Sequence, residues 1–469
     1  MKAILSSGLI KGIGPKTAEK IYDKFGDQTL DILDNHTEKL IRENPYRLRD
    51  MAGIGFVTAD KIAVDTGLSP TSAFRIDAGI RHTLKEAESC GHLCLEKTHF
   101  VKECVKLLNT DGVDYRTVGE RAFTMLKNGD IAVYGSYVYR LSAARAEQSI
   151  AGNVNSLLSY GAVMHKKDLD AEINLEEREI GIKLAFEQRQ AVKTALTSRL
   201  CIITGGPGTG KTLIQRVLLG IYKKLNPDAK IICCAPTGRA ARRMEQCTGF
   251  PSATIHKTLG LMSGDDEEWG EPETLDADFV LVDELSMVDA YLAKYLFDSV
   301  SSRAQLVLVG DSDQLPSVGP GAVLSELTAC GRIPVIRLDK VFRQNEGSRI
   351  AVNAKLIRHN NLSLEYGDDF RFIESNDYNE SADIIERLFQ SEVDSLGLDN
   401  VALLTPFRNK TETGVNALNG RLRDIINPAA PNKPEAARGR RLFRLGDKVM
   451  QTKNSGDVSN GDIGYITDI

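Results

Sequence analysis

From residue 184 onward, short apolar runs alternate with stretches whose apolar residues recur at helical spacing. The runs are LCIIT (200–204), KIICCA (230–235), FVLV (279–282), QLVLVG (305–310), PVIRL (334–338) and VALLT (401–405). Unbroken runs of this length predict strands buried on both faces, as in a parallel sheet. Helical segments separate most of them, so ligands are expected at the carboxyl ends of the strands. The amino-terminal part follows another rule. GIGPKTAEKI (12–21) and GIGFVTADKI (53–62) are two copies of one pattern. Each glycine pair suits a tight turn between helices, because glycine reaches positive φ at no steric cost. The N–H groups at the following helix start suit an anion. Gly12, Gly14 and Lys16, with Gly53, Gly55 and Lys61, are therefore candidate phosphate contacts. A helical hairpin without a ligand is the competing reading. Between 96 and 150, GDIAVYGSYVYRLSAARAEQSI predicts a short hairpin and then a helix, either a winged-helix-like unit or a connector. The charged stretch around 170–183 reads as a linker.

Composition narrows the class. A chain of 469 residues suggests about three domains. With 42% hydrophobic and 26% charged residues it is expected to be soluble and globular. No stretch approaches the ~18–20 uninterrupted apolar residues of a membrane span. MKAILSSGLIKGIG is too short and too glycine-broken for a secretory signal, so a cytoplasmic protein without membrane contact is expected. The formal charge of −5 excludes a bulk polycation, and any nucleic-acid contact must come from local surfaces. Of the eight cysteines, Cys201, Cys233 and Cys234 sit inside strand-like runs and read as buried small hydrophobes. ESCGHLCLEKTH gathers Cys90, His92, Cys94 and His99, with Cys104 nearby. Their spacing matches neither paired C-x2-C nor a zinc finger, so a structural role is preferred over metal binding.

Three strand ends carry chemistry. GGPGTGKT, Gly205 to Thr212, follows the first run and precedes the helical pattern LIQRVLLGIYKKL. This is G-x-x-x-x-G-K-T in its proper context. Gly206, Pro207, Gly208, Thr209 and Gly210 would wrap backbone N–H groups around phosphates, Lys211 would reach the β and γ phosphates, and Thr212 would hold Mg²⁺. FVLVDELS ends a strand in Asp283-Glu284. Beside a P-loop, Asp283 can hold the metal through water and Glu284 can orient and deprotonate an attacking water. In VLVGDSDQLPSVG, turn chemistry accounts for the glycine, aspartates and proline but not for Gln314. An amide there can bond the γ-phosphoryl group or the attacking water and lose that bond after hydrolysis, provided its strand neighbours that of Asp283. Arg343, after another strand, is the candidate arginine supplied from a facing domain. Gln188, in LAFEQRQAV, could read the adenine edge or simply lie on a helix surface.

Taken together, these stretches resemble the superfamily-1 helicases, and most closely the stand-alone RecD-like DNA helicases. GGPGTGKT, APTGRAARRM (235–244), TIHKTLG (254–260), VDELSMVD (282–289), GDSDQLPSVGPG (310–321) and FRQ (342–344) stand in that family's order. LLTPFRN (403–409), GVNALN (414–419) and LGDKVMQTKN…NGDIG (445–464) look like its second-domain signatures. The resemblance implies an α/β protein with two RecA-like P-loop NTPase domains, the second incomplete, after a mainly helical helix-hairpin-helix region. The expected division is 1–95, 96–183, 184–334 with a short pin near 261–276, and 335–469 entering an SH3-like insertion. It further implies ATP and Mg²⁺ as cofactors, 5′→3′ movement on single-stranded DNA, and duplexes with a 5′ tail as substrates. Work in repair or recombination follows, as a monomer, nucleoid-associated when on DNA, with a single-stranded DNA-binding protein as candidate partner. Thr237, Arg239, His256, Lys257, Thr405 and Arg408 match positions that contact DNA. At least one of Arg239, Arg242 and Arg243 is expected to be only a solvated helix face. Two departures qualify the resemblance. The pin region is acidic around Trp269, and the chain ends at YITDI where the family continues to two further motifs. A fragment or truncated product is therefore expected. The alternatives are a nucleotide-gated DNA-binding module without motor action, or an RNA translocase of superfamily 1.

Overall fold

The computed structural model describes residues 44–46, 55–65, 67–261, 272–340, 348–439, 441–452, 458 and 461–469. The expected contacts Gly12, Gly14, Lys16 and Gly53, together with Trp269 and Arg343, lie outside them. The described chain forms two compact units. One holds the residues up to Gly205 with Val217–Ile232 and Ile255–Arg337; the other holds Gly206–Arg216, Cys233–Thr254 and Leu338–Ile469.

The first unit opens with helices α1 (Phe56–Asp65) and α2 (Ala73–Ser89), strand β1 (Cys94–Glu96), and helices α3 (Lys97–Leu108) and α4 (Tyr115–Lys127). A hairpin, β2 (Ile131–Tyr134) and β3 (Tyr137–Arg140), follows, and then α5 (Leu141–Ser159). The caps are legible in the chemistry. Ser72 accepts the Arg75 N–H, Glu96 accepts those of Thr98 and His99, and Asp114 accepts that of Thr117. The hairpin is as expected, but it pairs with β1 into a three-stranded antiparallel sheet of order β1-β3-β2. One apolar core, including Phe56, Ile76, Ile80, Phe100, Leu108, Val118, Met125 and Val138, joins α1 to α4 with the three strands. Arg75 is buried within it, where Asp60, the Leu108 and Pro70 carbonyls and the Thr110 hydroxyl accept its guanidinium protons at 2.8–3.1 Å. A buried charge is tolerated only with partners of this number and quality.

The cysteines and histidines of ESCGHLCLEKTH fall on elements and turns of this unit. Cys94 and Glu96 are strand residues, Glu96 caps α3, and Cys104 is buried in the core. No group of three or more His, Cys, Asp or Glu among the described residues could hold a metal ion. Among the same residues, no helix is long and apolar enough to cross a membrane.

After α6 (Leu169–Ile180) and α7 (Phe186–Thr197) come β4 (Leu200–Gly205), α8 (Lys211–Leu225), β5 (Ile231–Ala235), α9 (Gly238–Thr248), β6 (Ser252–Thr254) and α10 (Ile255–Thr258). Then follow β7 (Phe279–Val282), a 3₁₀ turn Leu285–Met287, α11 (Ala290–Ser299), β8 (Gln305–Gly310), α12 (Val323–Ala329) and β9 (Val335–Leu338). Five of the six expected strands form, in a sheet of order β6-β5-β7-β8-β4-β9. β9, which the sequence places at the start of a second lobe, is an edge strand of this sheet; the Ile202 N–H donates to the Pro334 carbonyl at 2.9 Å. β4, β7 and β8 are almost wholly buried, which is why they read as continuous apolar runs. Burial also pushes the Cys201 and Cys233 thiols up to about 12, so both remain neutral packing groups.

The second unit includes α13 (Arg349–Arg358), α14 (Tyr378–Leu396), α15 (Val415–Ile426) and two antiparallel hairpins, β10 (Glu435–Arg438) with β11 (Arg441–Arg444) and β12 (Lys448–Met450) with β13 (Ile463–Tyr465). The sixth expected strand, 401–405, is not one. The segment has no ladder; Leu404 is 91% exposed, while Leu403 packs against Ala382, Leu418 and Leu422 between α14 and α15. An apolar run becomes a strand only when a neighbouring backbone supplies its hydrogen bonds.

Candidate nucleotide and nucleic-acid site

Parallel register aligns three strand ends within the first unit. Thr204 lies opposite Gly310, and Val282 opposite Leu308. β8 thus neighbours β7, as the role given to Gln314 requires, and it also pairs with β4. The strand ends that precede Gly206, Asp283 and Asp311 therefore lie at this one edge.

Gly208 and Gly210 take φ of 79° and 87°, where a side chain would be strained. Thr209 is buried and donates its hydroxyl to the Gly206 carbonyl at 2.8 Å; Lys211 Nζ donates to the same carbonyl at 3.1 Å. Pro207 is exposed, and Thr212 is half-buried in the first turn of α8, where helix N–H groups favour an anion.

On the β7 and β8 side, Asp283 Oδ1 accepts the Glu284 N–H at 2.9 Å. Glu284 itself has φ of 54°, in the left-handed region. The other non-glycine residues with positive φ among those described are asparagines, which tolerate it. Such a conformation costs on the order of 1–3 kcal/mol and clusters at functional sites. Here it turns the backbone into the 3₁₀ segment that follows. Gln314 is exposed, and its N–H donates to the Asp311 carbonyl at 3.2 Å. Ser286 Oγ approaches Gln314 Oε1 at 3.5 Å, the outer limit of a hydrogen bond.

Several residues that the sequence did not single out hold this edge. Thr204 accepts the Ser312 N–H at 3.1 Å and pairs with the Ser312 hydroxyl at 3.1 Å, fastening the Gln314 loop to the end of β4. Asp311 is buried, and its Oδ1 accepts the Asp313 N–H at 3.0 Å. A Cβ on Gly310 would meet Leu324 Cδ2 at 2.8 Å and the Leu285 and Ser286 nitrogens at 3.3 Å. The turn after Glu284 therefore packs directly on a glycine. A threonine closing an apolar strand and a glycine before an acidic turn were the available signals, but only the fold gives them partners.

Gln188 is 4% exposed, and its Oε1 accepts the Ala185 N–H at 2.9 Å, so its amide is held at the start of α7 rather than on a helix surface. Thr237 caps α9 by accepting the Ala240 N–H at 3.2 Å, and Arg239 is exposed. Arg242 pairs with Asp462 at 2.8 Å, both in the second unit. Lys257 is exposed, whereas His256 is half-buried. Burial holds the His256 imidazole below its ordinary 6.5, opposed by the charge of Asp289. Burial likewise raises the Asp289 carboxyl, opposed by the N–H groups it caps. His256 is thus a neutral donor or acceptor at neutral pH. Thr405 donates to the Thr413 carbonyl at 2.7 Å, and Arg408, Gly55 and Lys61 are exposed.

A parallel sheet with a P-loop at the end of β4 defines a P-loop nucleotide-binding α/β protein. Comparison with known proteins narrows this. Residues 188–320 match an AAA domain, residues 9–94 the ATP-dependent RecD2 DNA helicase HHH domain, and residues 418–469 the ATP-dependent RecD-like DNA helicase SH3 domain. The chain is 29% identical to the ATP-dependent RecD2 DNA helicase of Deinococcus radiodurans over 97% of its own length and 62% of that protein's. It is 37% identical to the RecBCD enzyme subunit RecD of Mycolicibacterium smegmatis over 30% of either chain. The crystal structure of Pif1 helicase from Candida albicans aligns over 61% of this chain and 69% of its own at 20% identity, with a TM-score of 0.32, which adds nothing to the reading. The resemblance to RecD2-type helicases therefore stands, carried by three family models in chain order. The chain spans under two thirds of the length of these relatives.

Two outcomes are expected from this geometry. Gly310→Ala should lower unfolding stability by about 1–3 kcal/mol, since the added methyl forces Leu324 and the turn after Glu284 to move. Denaturant unfolding measures this, and an unchanged midpoint would show slack beneath the turn. For His256, the unfolded imidazole binds a proton near 6.5 that the folded one resists. Stability is thus full above that pH and falls below it. Wild type should lose ground to His256→Gln between about pH 7.5 and pH 5.5; curves that stay parallel would place the ring in water.

Proposed function

We propose that the chain is the nucleotide- and DNA-binding part of an ATP-driven DNA helicase, translocating 5′→3′ on single-stranded DNA and opening 5′-tailed duplexes in repair or recombination. The observation that carries this reading is the single sheet edge from which the P-loop, Asp283-Glu284 and the Gln314 loop depart. An acid pair and an amide at strand ends in register with the end of β4 suit hydrolysis rather than storage, because storage needs no group to deprotonate water.

In this reading Lys211 compensates charge on the β and γ phosphates, Glu284 deprotonates the attacking water, and Gln314 reports whether the γ-phosphate is present. Thr212 and Asp283 offer the hydroxyl and carboxylate oxygens that Mg²⁺ prefers, and the ion supplies charge neutralisation when bound. Arg343 stabilises the charge that builds during transfer, and Gln188 reads adenine through its side-chain amide. Thr237, Arg239, His256, Lys257, Thr405 and Arg408 contact the single strand. The glycine turns with Lys16 and Lys61 grip DNA phosphates, and residues 96–183 serve as a winged-helix-like element or a connector. Phosphate contacts of this kind give affinity and register without sequence preference.

Lys211→Ala should reduce ATP turnover by about a hundredfold or more, the loss typical when one preorganised charge is removed from the transition state. Wild-type turnover should rise with a single-stranded oligonucleotide. Persistence of turnover in the variant would refute the P-loop assignment, and indifference of the wild type to DNA would refute the motor reading.

A further inference from the structure

The Gln314 loop has a second anchorage, away from the nucleotide edge. Its far end, Ser317 to Gly321, is folded on itself by the Ser317 hydroxyl, which donates to the Gly319 and Gly321 carbonyls at 2.9 and 3.1 Å. Two glycines then make close approaches. A Cβ on Gly319 would fall 2.1 Å from Asp289 Oδ2. Gly321 has φ of 97°, and a Cβ there would lie 2.9 Å from both Ala290 Cβ and Leu93 Cδ1. Its N–H donates to the Gly91 carbonyl at 3.0 Å, and the Ala290 N–H donates to the Pro320 carbonyl at 3.0 Å. Gly91 and Leu93 belong to the turn between α2 and β1, so the loop that bears Gln314 is bonded to the amino-terminal helices.

The same turn is held to α11 by a polar chain. Glu88, in the last turn of α2 and 8% exposed, accepts the Tyr291 hydroxyl at 2.9 Å and Arg140 Nη1 at 2.5 Å. Tyr291 also meets the Ser142 hydroxyl at 3.2 Å and packs with Leu93 against Ala132, Tyr139, Ala143 and Ala144. Further along, Asn153 of α5 donates to Asp298 at the other end of α11 at 2.7 Å. All of these residues lie in the first compact unit. A seam that combines a backbone hydrogen bond, two glycine approaches and a buried carboxylate shared by Tyr291 and Arg140 exceeds what tethering a linker requires.

We propose that Glu88, Leu93 and Tyr291 are positioning residues that join the Gln314 loop to the amino-terminal DNA-binding region, so that DNA held there sets the loop for hydrolysis. The inference rests on the reading of Gln314 as a γ-phosphate sensor. The loop is tied at one end by Thr204 and Ser312, beside the sensor, and at the other by Gly91 and Leu93. Displacement of the α2–β1 turn must therefore be absorbed by the residues between these ties. By linkage, nucleotide at the sensor must alter DNA affinity by the factor with which DNA alters nucleotide affinity.

The test uses the full chain and two variants outside the nucleotide and DNA contacts, Tyr291→Phe and Leu93→Ala. ATP turnover is measured with and without a 5′-tailed duplex, and DNA affinity with and without a non-hydrolysable ATP analogue. The expected result is a basal rate within about twofold of wild type, with DNA stimulation reduced about fivefold or more, the lower range of measured couplings. The nucleotide-dependent change in DNA affinity should shrink in parallel. Tyr291→Phe removes one hydroxyl, so it reports even where Leu93→Ala does not fold. Stimulation equal to wild type in the variants would overturn the proposal. So would basal and stimulated rates falling in the same proportion, the mark of a merely structural seam. A wild type without stimulation would refute the motor reading itself and the coupling with it, and that is visible before any variant is made.

Discussion

The parallel hydrogen-bond register of β4, β8 and β7 is the constraint on which the nucleotide edge depends. Strands buried on both faces and apolar throughout specify register weakly, because a slip exchanges one apolar side chain for another. Polar groups at the two ends of β8 remove that freedom. At its start, the buried Gln305 donates its amide to the Leu196 and Ser198 carbonyls at 3.0 and 3.1 Å, closing the end of α7. At its finish, Thr204 fastens Ser312. A one-residue slip would break both sets and leave buried polar atoms without partners, which costs more than the apolar exchange could recover. The register, once fixed, delivers three loops to one edge.

What those loops do there depends on strain held locally. Glu284 stands in the left-handed region because three contacts hold it. Asp283 accepts its N–H, the Met287 N–H donates to its carbonyl at 3.0 Å, and the following turn rests on Gly310. A carboxylate fixed by its backbone needs less reorganisation when a substrate arrives, which is what preorganisation means in energetic terms. The Gln314 loop is held differently. It is exposed at Gln314 and tied at its two ends to different parts of the first unit. A side chain in that setting can change partners while its anchors stay in place.

Much of this was legible in the sequence, for identifiable reasons. Full burial made β4, β7 and β8 read as unbroken apolar runs, and the P-loop pattern lies where a strand gives way to a helix. The hairpin at 131–140 was visible through its glycine turn and alternating residues. Other features were not legible, because their signal belongs to a partner distant in sequence. VALLT has the composition of a strand, yet its backbone has no neighbouring ladder. β1 is three residues long and hidden among cysteines and histidines whose spacing shows no strand alternation. Gly310, Thr204 and Ser312 are ordinary residues until the sheet sets them against one another. The use of the Gln188 amide at the start of α7, and the burial that keeps His256 neutral, also appear only once the chain is packed.

In the proposed reading, one sheet edge organises the phosphate chemistry and the segment before the sheet holds the loop that reports on it. The most direct test is a crystal structure of the chain with a non-hydrolysable ATP analogue, Mg²⁺ and a short single-stranded oligonucleotide. The account predicts the triphosphate on the P-loop with Lys211, Glu284 and Gln314 all within about 3 Å of phosphate oxygens or of the water in line with them. A triphosphate bound elsewhere, or one that Glu284 and Gln314 do not approach, would contradict it.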